Sequence, residues 1–478
     1  MATKKKTSKT KASKASSTQS PRGENAMAKN SVMGYMPNDT PPLGKNILLG
    51  FQHVLTMFPA TVLVALLCGF HPGTVLLASG VSTIVALILS RNSIGNFIPL
   101  FYGSSFSYIA AYQGVAIAMT GAAPQFGVPL PNEVLSTMQG GIIVTGLLNI
   151  AVGFIIRAVG KASLDKVLPP IVTGSVAAII GFGLAYAALS MAAANFTVAI
   201  VTMLVTILLS VYLQNKGFLG MLPVLLGGTV GYILSAVIAP DTVNLAGVTD
   251  AAWFKAPNIT FPSFTGEFAV TAIFSIAIMA IATIPESTAH LYQLSLYVDR
   301  FAEDSGREKI HLDNYIGLNL VFDGIGDFIN GLMGATSGTN YGENNSLMAI
   351  TRNYSGPALI AAGVIAILLG FIGKLEAFVA SIPLAVTGGL AIYLFGAIGM
   401  QGIALIQENK VSMFSPRNLA IGAVIIIVGI GGNIGYPGGF LPIILPGFPS
   451  GLPAIATAAV LGIVINAIFL LFKPSDEA

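Results

Sequence analysis

From about residue 46 to residue 472 the chain runs as apolar stretches separated by short breaks that hold Gly, Pro or charge. A helix that crosses a bilayer needs about 20 mainly apolar residues, and fewer where it is broken and shielded by protein. On this pattern spans fall near 46–68, 72–90, 98–113, 139–160, 168–190, 195–213 and 218–239. A second set falls near 267–290, 313–332, 335–353, 356–373, 377–400, 416–433 and 452–472. The pattern predicts an all-α polytopic membrane protein of about 14 transmembrane segments, divisible as seven plus seven.

Two spans are too polar in their first halves to be plain helices. One carries Pro99 to Ser107, including Gly103-Ser104-Ser105-Phe106, and is third in the first seven. The other carries Thr336 to Asn345 and is third in the second seven. Interrupted spans at matching positions in two halves point to a transporter's binding site. With an odd number of spans per half, the second half is inverted, so spans 3 and 10 are the broken pair. Extended backbone inside a membrane leaves amides unpaired at several kcal/mol per group. Half-helix N-termini that meet there offer N–H donors and positive dipole ends to a small ligand with carbonyl oxygens or negative charge.

Composition agrees. The 478 residues are 54% hydrophobic and 9% charged, with mean hydropathy +0.79. Soluble domains carry about 25% charged residues, so this chain lacks the charge to cover a soluble surface. A single cysteine, Cys68, excludes a disulfide within the chain and a cysteine-rich metal site. Residues 1–45 are rich in Lys, Ser and Thr without an apolar core, and read as a disordered basic cytoplasmic tail rather than a signal peptide. Beside a polytopic body such a tail suits anionic lipid; no nucleic-acid partner is expected. With both termini inside, only Lys255 and Lys374 of the 23 Lys and Arg fall outside, leaving 21 on the cytoplasmic side. That asymmetry supports an even number of spans in a cell membrane.

Most acidic residues sit in the tail, in loops or at span ends. Glu286, at the end of an apolar run, and Glu343, in the second broken span, do not. Intramembrane carboxylates are functional candidates by default, against the plainer role of capping a broken helix. His290 follows Glu286 by four residues on one helix face, where a Glu/His pair can share or pass a proton. His53, inside the first span, is as readily structural, and Asp323 and Asp327 read as interfacial residues of an amphipathic stretch. The chain shows no phosphate-binding loop, no arginine ladder and no nucleophile or metal set spaced for hydrolysis. No enzyme activity, cofactor or metal is expected; an ion- or proton-coupled carrier is.

From residue 46 to 472 the chain resembles the nucleobase:cation symporter-2 family, also called nucleobase–ascorbate transporters, and most closely its uracil permease branch. The resemblance rests on Gln52-His53 with Met57 to Val64, Gly103-Ser104-Ser105-Phe106, Leu168-Pro169-Pro170-Ile171-Val172-Thr173-Gly174, Gly342-Glu343-Asn344 with Ala349 to Arg352, Ile382-Pro383 with Gly388-Gly389, and Ser415 to Leu419. It implies two inverted seven-span repeats. It also implies a core domain of spans 1–4 (46–160) and 8–11 (267–373), and a gate domain of spans 5–7 (168–239) and 12–14 (377–472), commonly in a homodimer. The family's two carboxylates fall on Glu286 and Glu343, its backbone contacts on Phe106 and Gly342, its pocket lining on Tyr341 and Ala60, and the histidine of the uracil branch on His290. The implied activity is import of a nucleobase, foremost uracil, by H⁺ symport. The xanthine and urate branch usually has Gln at the position of Glu343. Three local departures, Pro59, Ser287-Thr288-Ala289 and Asn345-Ser346, keep xanthine or another purine as alternatives. A sulfate or bicarbonate carrier of the same inverted-repeat fold is the alternative from another class.

Overall fold

A computed structural model describes residues 34–160, 166–213, 216, 219–220 and 222–472. Among them eight helices are long and apolar enough to cross a membrane: Leu43–Cys68, Pro72–Ile94, Asn132–Val159, Pro170–Ala192, Ala269–Asp304, Leu384–Glu408, Pro416–Gly435 and Ala454–Leu471. Phe196–Tyr212, Pro223–Ile238 and Gly356–Gly370 are shorter and also apolar. The chain writes its own helix limits. Pro opens Pro72–Ile94, Pro170–Gly183 and Pro416–Ile426, where its missing N–H costs nothing. The Asn195 and Ser355 side chains accept from the backbone N–H groups of Val198 and Ala358.

The two segments expected to be broken are broken. Tyr102–Ser104 (β1) pairs antiparallel with Gly338–Asn340 (β2), in the register Tyr102 to Asn340, Gly103 to Thr339 and Ser104 to Gly338. After each strand the chain turns helical, as a 3-10 turn Phe106–Tyr108 leading into Ile109–Thr120, and as Gly342–Thr351. The pairing satisfies the amides that extended backbone leaves open.

Close backbone approach sets the helices around this ribbon. Pro72–Ile94 packs on Gly356–Gly370, and Asn132–Val159 packs on Ile316–Met333. A Cβ at Gly80 would lie 2.4 Å from the Gly363 carbonyl oxygen, and one at Gly370 would lie 2.6 Å from that of Gly73. In the other pair, Gly324 meets the Gly146 carbonyl at 2.5 Å and Gly317 meets that of Gly153 at 2.7 Å. Each helix places its two glycines seven residues apart, and only glycine admits such contact. Many large apolar side chains remain exposed, among them Phe154, Ile155, Leu204, Leu208, Ile233 and Leu368. In water such a surface is a liability; against lipid it is the expected one.

Three expectations are corrected. The tail read over 1–45 ends earlier: its residues 1–33 lie outside the described residues, whereas 34–42 are stitched to the body. The backbone N–H of Tyr35 donates to the Arg352 carbonyl (2.9 Å), that of Gly356 to Pro37 (2.9 Å), and Arg307 Nη2 to Asp39 Oδ1 (2.8 Å). The helix carrying Glu286 runs on to Asp304 rather than ending near 290. Asp323 and Asp327 are not interfacial. They are 5% and 0% exposed, on the inner face of Ile316–Met333.

Candidate functional site

The two carboxylates singled out in the sequence reach one cavity of about 340 Å³. Glu286 and His290 enter it from helix Ala280–Asp304, one turn apart, with Pro285 beside them. Glu343 enters from the first turn of Gly342–Thr351, and Phe106 from the end of the other broken segment. Thr173, Ala177, Leu394, Ile398 and Gln401 close the far wall, and the cavity extends to the exposed Glu408.

The histidine is oriented by the ribbon. His290 Nδ1 lies 2.7 Å from the Asn340 carbonyl oxygen. A carbonyl only accepts, so Nδ1 carries the proton and neutral His290 keeps Nε2 as an acceptor. Nε2 faces Gly342, where a Cβ would lie only 2.8 Å away, so Gly342 is the residue that lets ring and helix start meet. The residue before the helix, Tyr341, gives no side-chain cap to Gly342–Thr351, and the Glu343 carboxyl accepts from its own backbone N–H at that helix start.

Tyr341 and Ala60 are placed differently. The Tyr341 hydroxyl lies 2.8 Å from Thr61 Oγ1 and donates to the Ser104 carbonyl at 2.9 Å. Its ring lies over Gly103, where a Cβ would meet it at 2.6 Å. Tyr341 thus ties the first long helix to both strands, behind the cavity wall. Ala60 is half-buried, adjoins Thr61 and is not part of this wall.

Residues the sequence reading passed over hold the ribbon in place. Asp327 accepts from Tyr102 Oη (2.6 Å), the Gly338 backbone N–H (3.0 Å) and Asn149 Nδ2 (2.9 Å), gathering β1, β2 and helix Asn132–Val159 on one carboxylate. Asp323 accepts from Ser287 Oγ and from Asn340 Nδ2 (3.3 Å), while Asn319 and Asn340 donate to Ser287 Oγ at 2.8 and 2.9 Å. Two departures from the family pattern gain a physical account. Ser287 belongs to this buried network, and Asn345 Nδ2 donates to the His290 carbonyl at 2.9 Å, so both support the site from outside the cavity. His53 is buried and receives Asn344 Nδ2 at its Nδ1 (3.0 Å), an anchor for the second half-helix.

Chemically, the cavity offers two carboxyl groups, an imidazole acceptor and backbone donors on one side, with a far wall that mixes Ala177, Leu394 and Ile398 with the polar Thr173 and Gln401. This suits a small planar solute carrying both N–H donors and carbonyl acceptors. Apolar helices around two half-helices, with titratable groups converging on their junction, define a membrane permease. A family model described as "Permease family" matches residues 44–437. The chain is 36% identical over 409 residues to the uracil permease of Bacillus caldolyticus, covering 83% of this chain and 87% of that protein. It is 34% identical over 451 residues to the uracil permease of Escherichia coli (strain K12), covering 91% and 94%. Among solved structures, SLC26A9 aligns with TM-score 0.62 at 12% identity, covering 90% of this chain and 65% of that one. The transmembrane domain of the cyanobacterial bicarbonate transporter BicA aligns at 0.55 and 15%, covering 83% and 98%. The two structures show the shared fold alone. The chain belongs to the permease family of the nucleobase:cation symporter-2 proteins and is a multi-pass membrane protein.

Proposed function

We propose that the protein imports a nucleobase, uracil foremost, by proton symport across the cell membrane. The observation that carries this reading is the convergence of Glu286, His290 and Glu343 on one cavity at the start of a half-helix. The uracil permeases with which the chain shares 32–36% sequence identity support the choice of base. Uracil presents two N–H donors and two carbonyls in one plane. In this reading Glu286 and Glu343 accept the N–H groups, and the backbone at Phe106 and Gly342 meets the carbonyls. Tyr341 and Ala60 shape the pocket from behind. A proton taken up on Glu286, His290 or Glu343 lowers the charge of the loaded site by one unit and eases its crossing of the low-dielectric barrier. A site built on hydrogen bonds rejects analogues that lack them more strongly than an apolar pocket does.

The architecture that goes with this reading has fourteen spans in two inverted repeats. The glycine contacts of Gly73 and Gly80 with Gly370 and Gly363 match those of Gly146 and Gly153 with Gly324 and Gly317, which supports two related halves. Spans 1–4 and 8–11 form the core domain, spans 5–7 and 12–14 the gate, and two copies form a dimer. Both termini are cytoplasmic, so the cavity ending at Glu408 opens inward. Two carboxylates would repel a bare anion, which disfavours a sulfate or bicarbonate carrier of this fold.

The test is competition for uptake of radiolabelled uracil into proteoliposomes by an excess of uracil, thymine, xanthine or sulfate. Uracil competes best and sulfate has no effect. Uptake that xanthine blocks better than uracil would move the assignment to a purine, and absence of uracil uptake by folded, inserted protein would end it.

A further inference from the structure

An apolar groove of about 430 Å³ runs between helix Asn132–Val159, helix Ala280–Asp304 and helix Ala454–Leu471. Every residue lining it is Ala, Val, Leu or Ile. Its floor is buried, with Ile156, Ala280 and Ile284 no more than 5% exposed. Its rim is open, with Val159 57% and Val167 50% exposed. Along helix Asn132–Val159 the groove extends from Leu148 to Val159, about 16 Å at 1.5 Å per residue. The hydrocarbon of one leaflet is about 15 Å deep, half of the bilayer core. The groove thus matches one leaflet in length and offers only surface that hydrocarbon wets.

One end of this groove carries positive charge held in place. Val167, on the rim, follows Lys166, and the carbonyls of Lys166 and Val167 accept from Asn466 Nδ2 at 2.9 and 3.1 Å. Asn466 is 1% exposed and stands three residues after Ile463, which lines the groove. Its Oδ1 accepts from Arg417 Nη2 at 3.0 Å. One buried amide therefore sets Lys166 and Arg417 beside the same mouth. Arg157, in the last turn of Asn132–Val159, is exposed two residues before Val159 on the other wall. Among the described residues neither Arg157 nor Lys166 forms an ion pair.

We infer that the groove holds one anionic phospholipid, with an acyl chain along Leu148 to Val159 and its phosphate against Lys166, Arg417 and Arg157. A zwitterionic lipid would fill the groove but leave these cations without a net counter-charge. A basic residue near an anionic surface is worth about fivefold in affinity, and arginine takes phosphate through paired N–H bonds. A chain seated here touches three helices at once, which separates it from lipid that merely wets an outer face. On the orientation proposed above, the basic end is cytoplasmic, so the lipid belongs to the leaflet whose surface is negative. Nothing in this site depends on which solute is carried.

Native mass spectrometry of the full chain in detergent tests this, by titration with phosphatidylglycerol or phosphatidylcholine of identical chains. Wild type binds its first phosphatidylglycerol more tightly than phosphatidylcholine by about tenfold or more. Lys166→Gln combined with Arg417→Gln weakens phosphatidylglycerol about 25-fold, about fivefold for each charge removed, and leaves phosphatidylcholine unchanged. Lys166→Gln alone keeps the carbonyl bond to Asn466, gives about a fivefold loss, and covers the case in which the double variant misfolds. Val152→Trp fills the groove midway and removes tight binding of both lipids with every cation still present. Phosphatidylcholine bound by wild type as tightly as phosphatidylglycerol, or a preference that survives loss of the charges, overturns the anionic site. Unchanged phosphatidylglycerol binding by folded Val152→Trp overturns the groove as the seat of the chain. The basic residues 1–33 are present in every variant, so their own attraction for anionic lipid cancels in the comparison.

Discussion

Replacement of Asp327 separates a charge requirement from a hydrogen-bonding one. Its buried carboxylate takes three donors, from Tyr102, Gly338 and Asn149, and so fastens both strands to the same helix. Asp327→Ala orphans all three donors in a dry interior at about 1–3 kcal/mol each, hence about 3–9 kcal/mol together, reduced by relief of the carboxylate's own desolvation. Asp327→Asn keeps an acceptor for Tyr102 and Gly338. Its amide nitrogen would face Asn149 Nδ2, donor against donor, but Asn149 Oδ1 has no partner in the wild type. A flip of the Asn149 amide therefore restores a bond, and the cost falls to about 1 kcal/mol. Thermal unfolding in detergent, followed by tryptophan-independent thiol or light-scattering readouts, ranks the variants as wild type, Asp327→Asn, then Asp327→Ala. In uptake assays Asp327→Asn retains transport at a raised KM and Asp327→Ala loses it. Equal destabilisation by the two substitutions, or an alanine variant as stable as wild type, would refute the assigned bonding.

Other expectations follow from the same geometry. Gly80→Ala pushes a methyl group into the Gly363 carbonyl and costs about 1–3 kcal/mol in the melting curve. Gly396→Ala, with open space around it, leaves stability unchanged or raises it by up to about 1 kcal/mol. The Arg307 guanidinium holds the Asp39 carboxyl below its ordinary value, so this pair stabilises at neutral pH and is lost as pH falls through that lowered value. Arg307→Gln then costs about 0.5–1 kcal/mol at pH 7, within the range for an exposed pair, and the difference from wild type vanishes in acid; a difference that grows in acid would contradict the pairing.

The broken segments were legible because their polarity contradicts a plain span, and Glu286, His290 and Glu343 because ionisable groups in apolar runs are rare. Asp323 and Asp327 were misread for a physical reason. Asn319, Asp323, Asp327 and Asn330 form a stripe along one helix, which resembles a wetted face. Here the stripe faces the β1–β2 ribbon and its neighbours rather than water, and Asn330 Nδ2 donates to the Thr336 carbonyl at 2.7 Å. The signal that would have found it is the need itself: two extended segments in an apolar interior require buried polar partners beyond the strand pairing. Residues 34–42 were read as tail because they lack an apolar run, yet they are held by backbone bonds that composition does not reveal. The Phe106–Phe395 contact joins positions 289 residues apart (395 less 106), and no local pattern announces it.

The central claim, that a proton and a nucleobase meet at the Glu286–Glu343 cavity, is tested most directly by radiolabelled uracil uptake into proteoliposomes with and without an inward proton gradient, for wild type and Glu343→Gln. The account predicts gradient-stimulated uptake in wild type and its loss in the variant, with the protein still folded and inserted. Uptake that ignores the gradient in wild type, or that survives unchanged in Glu343→Gln, would contradict it.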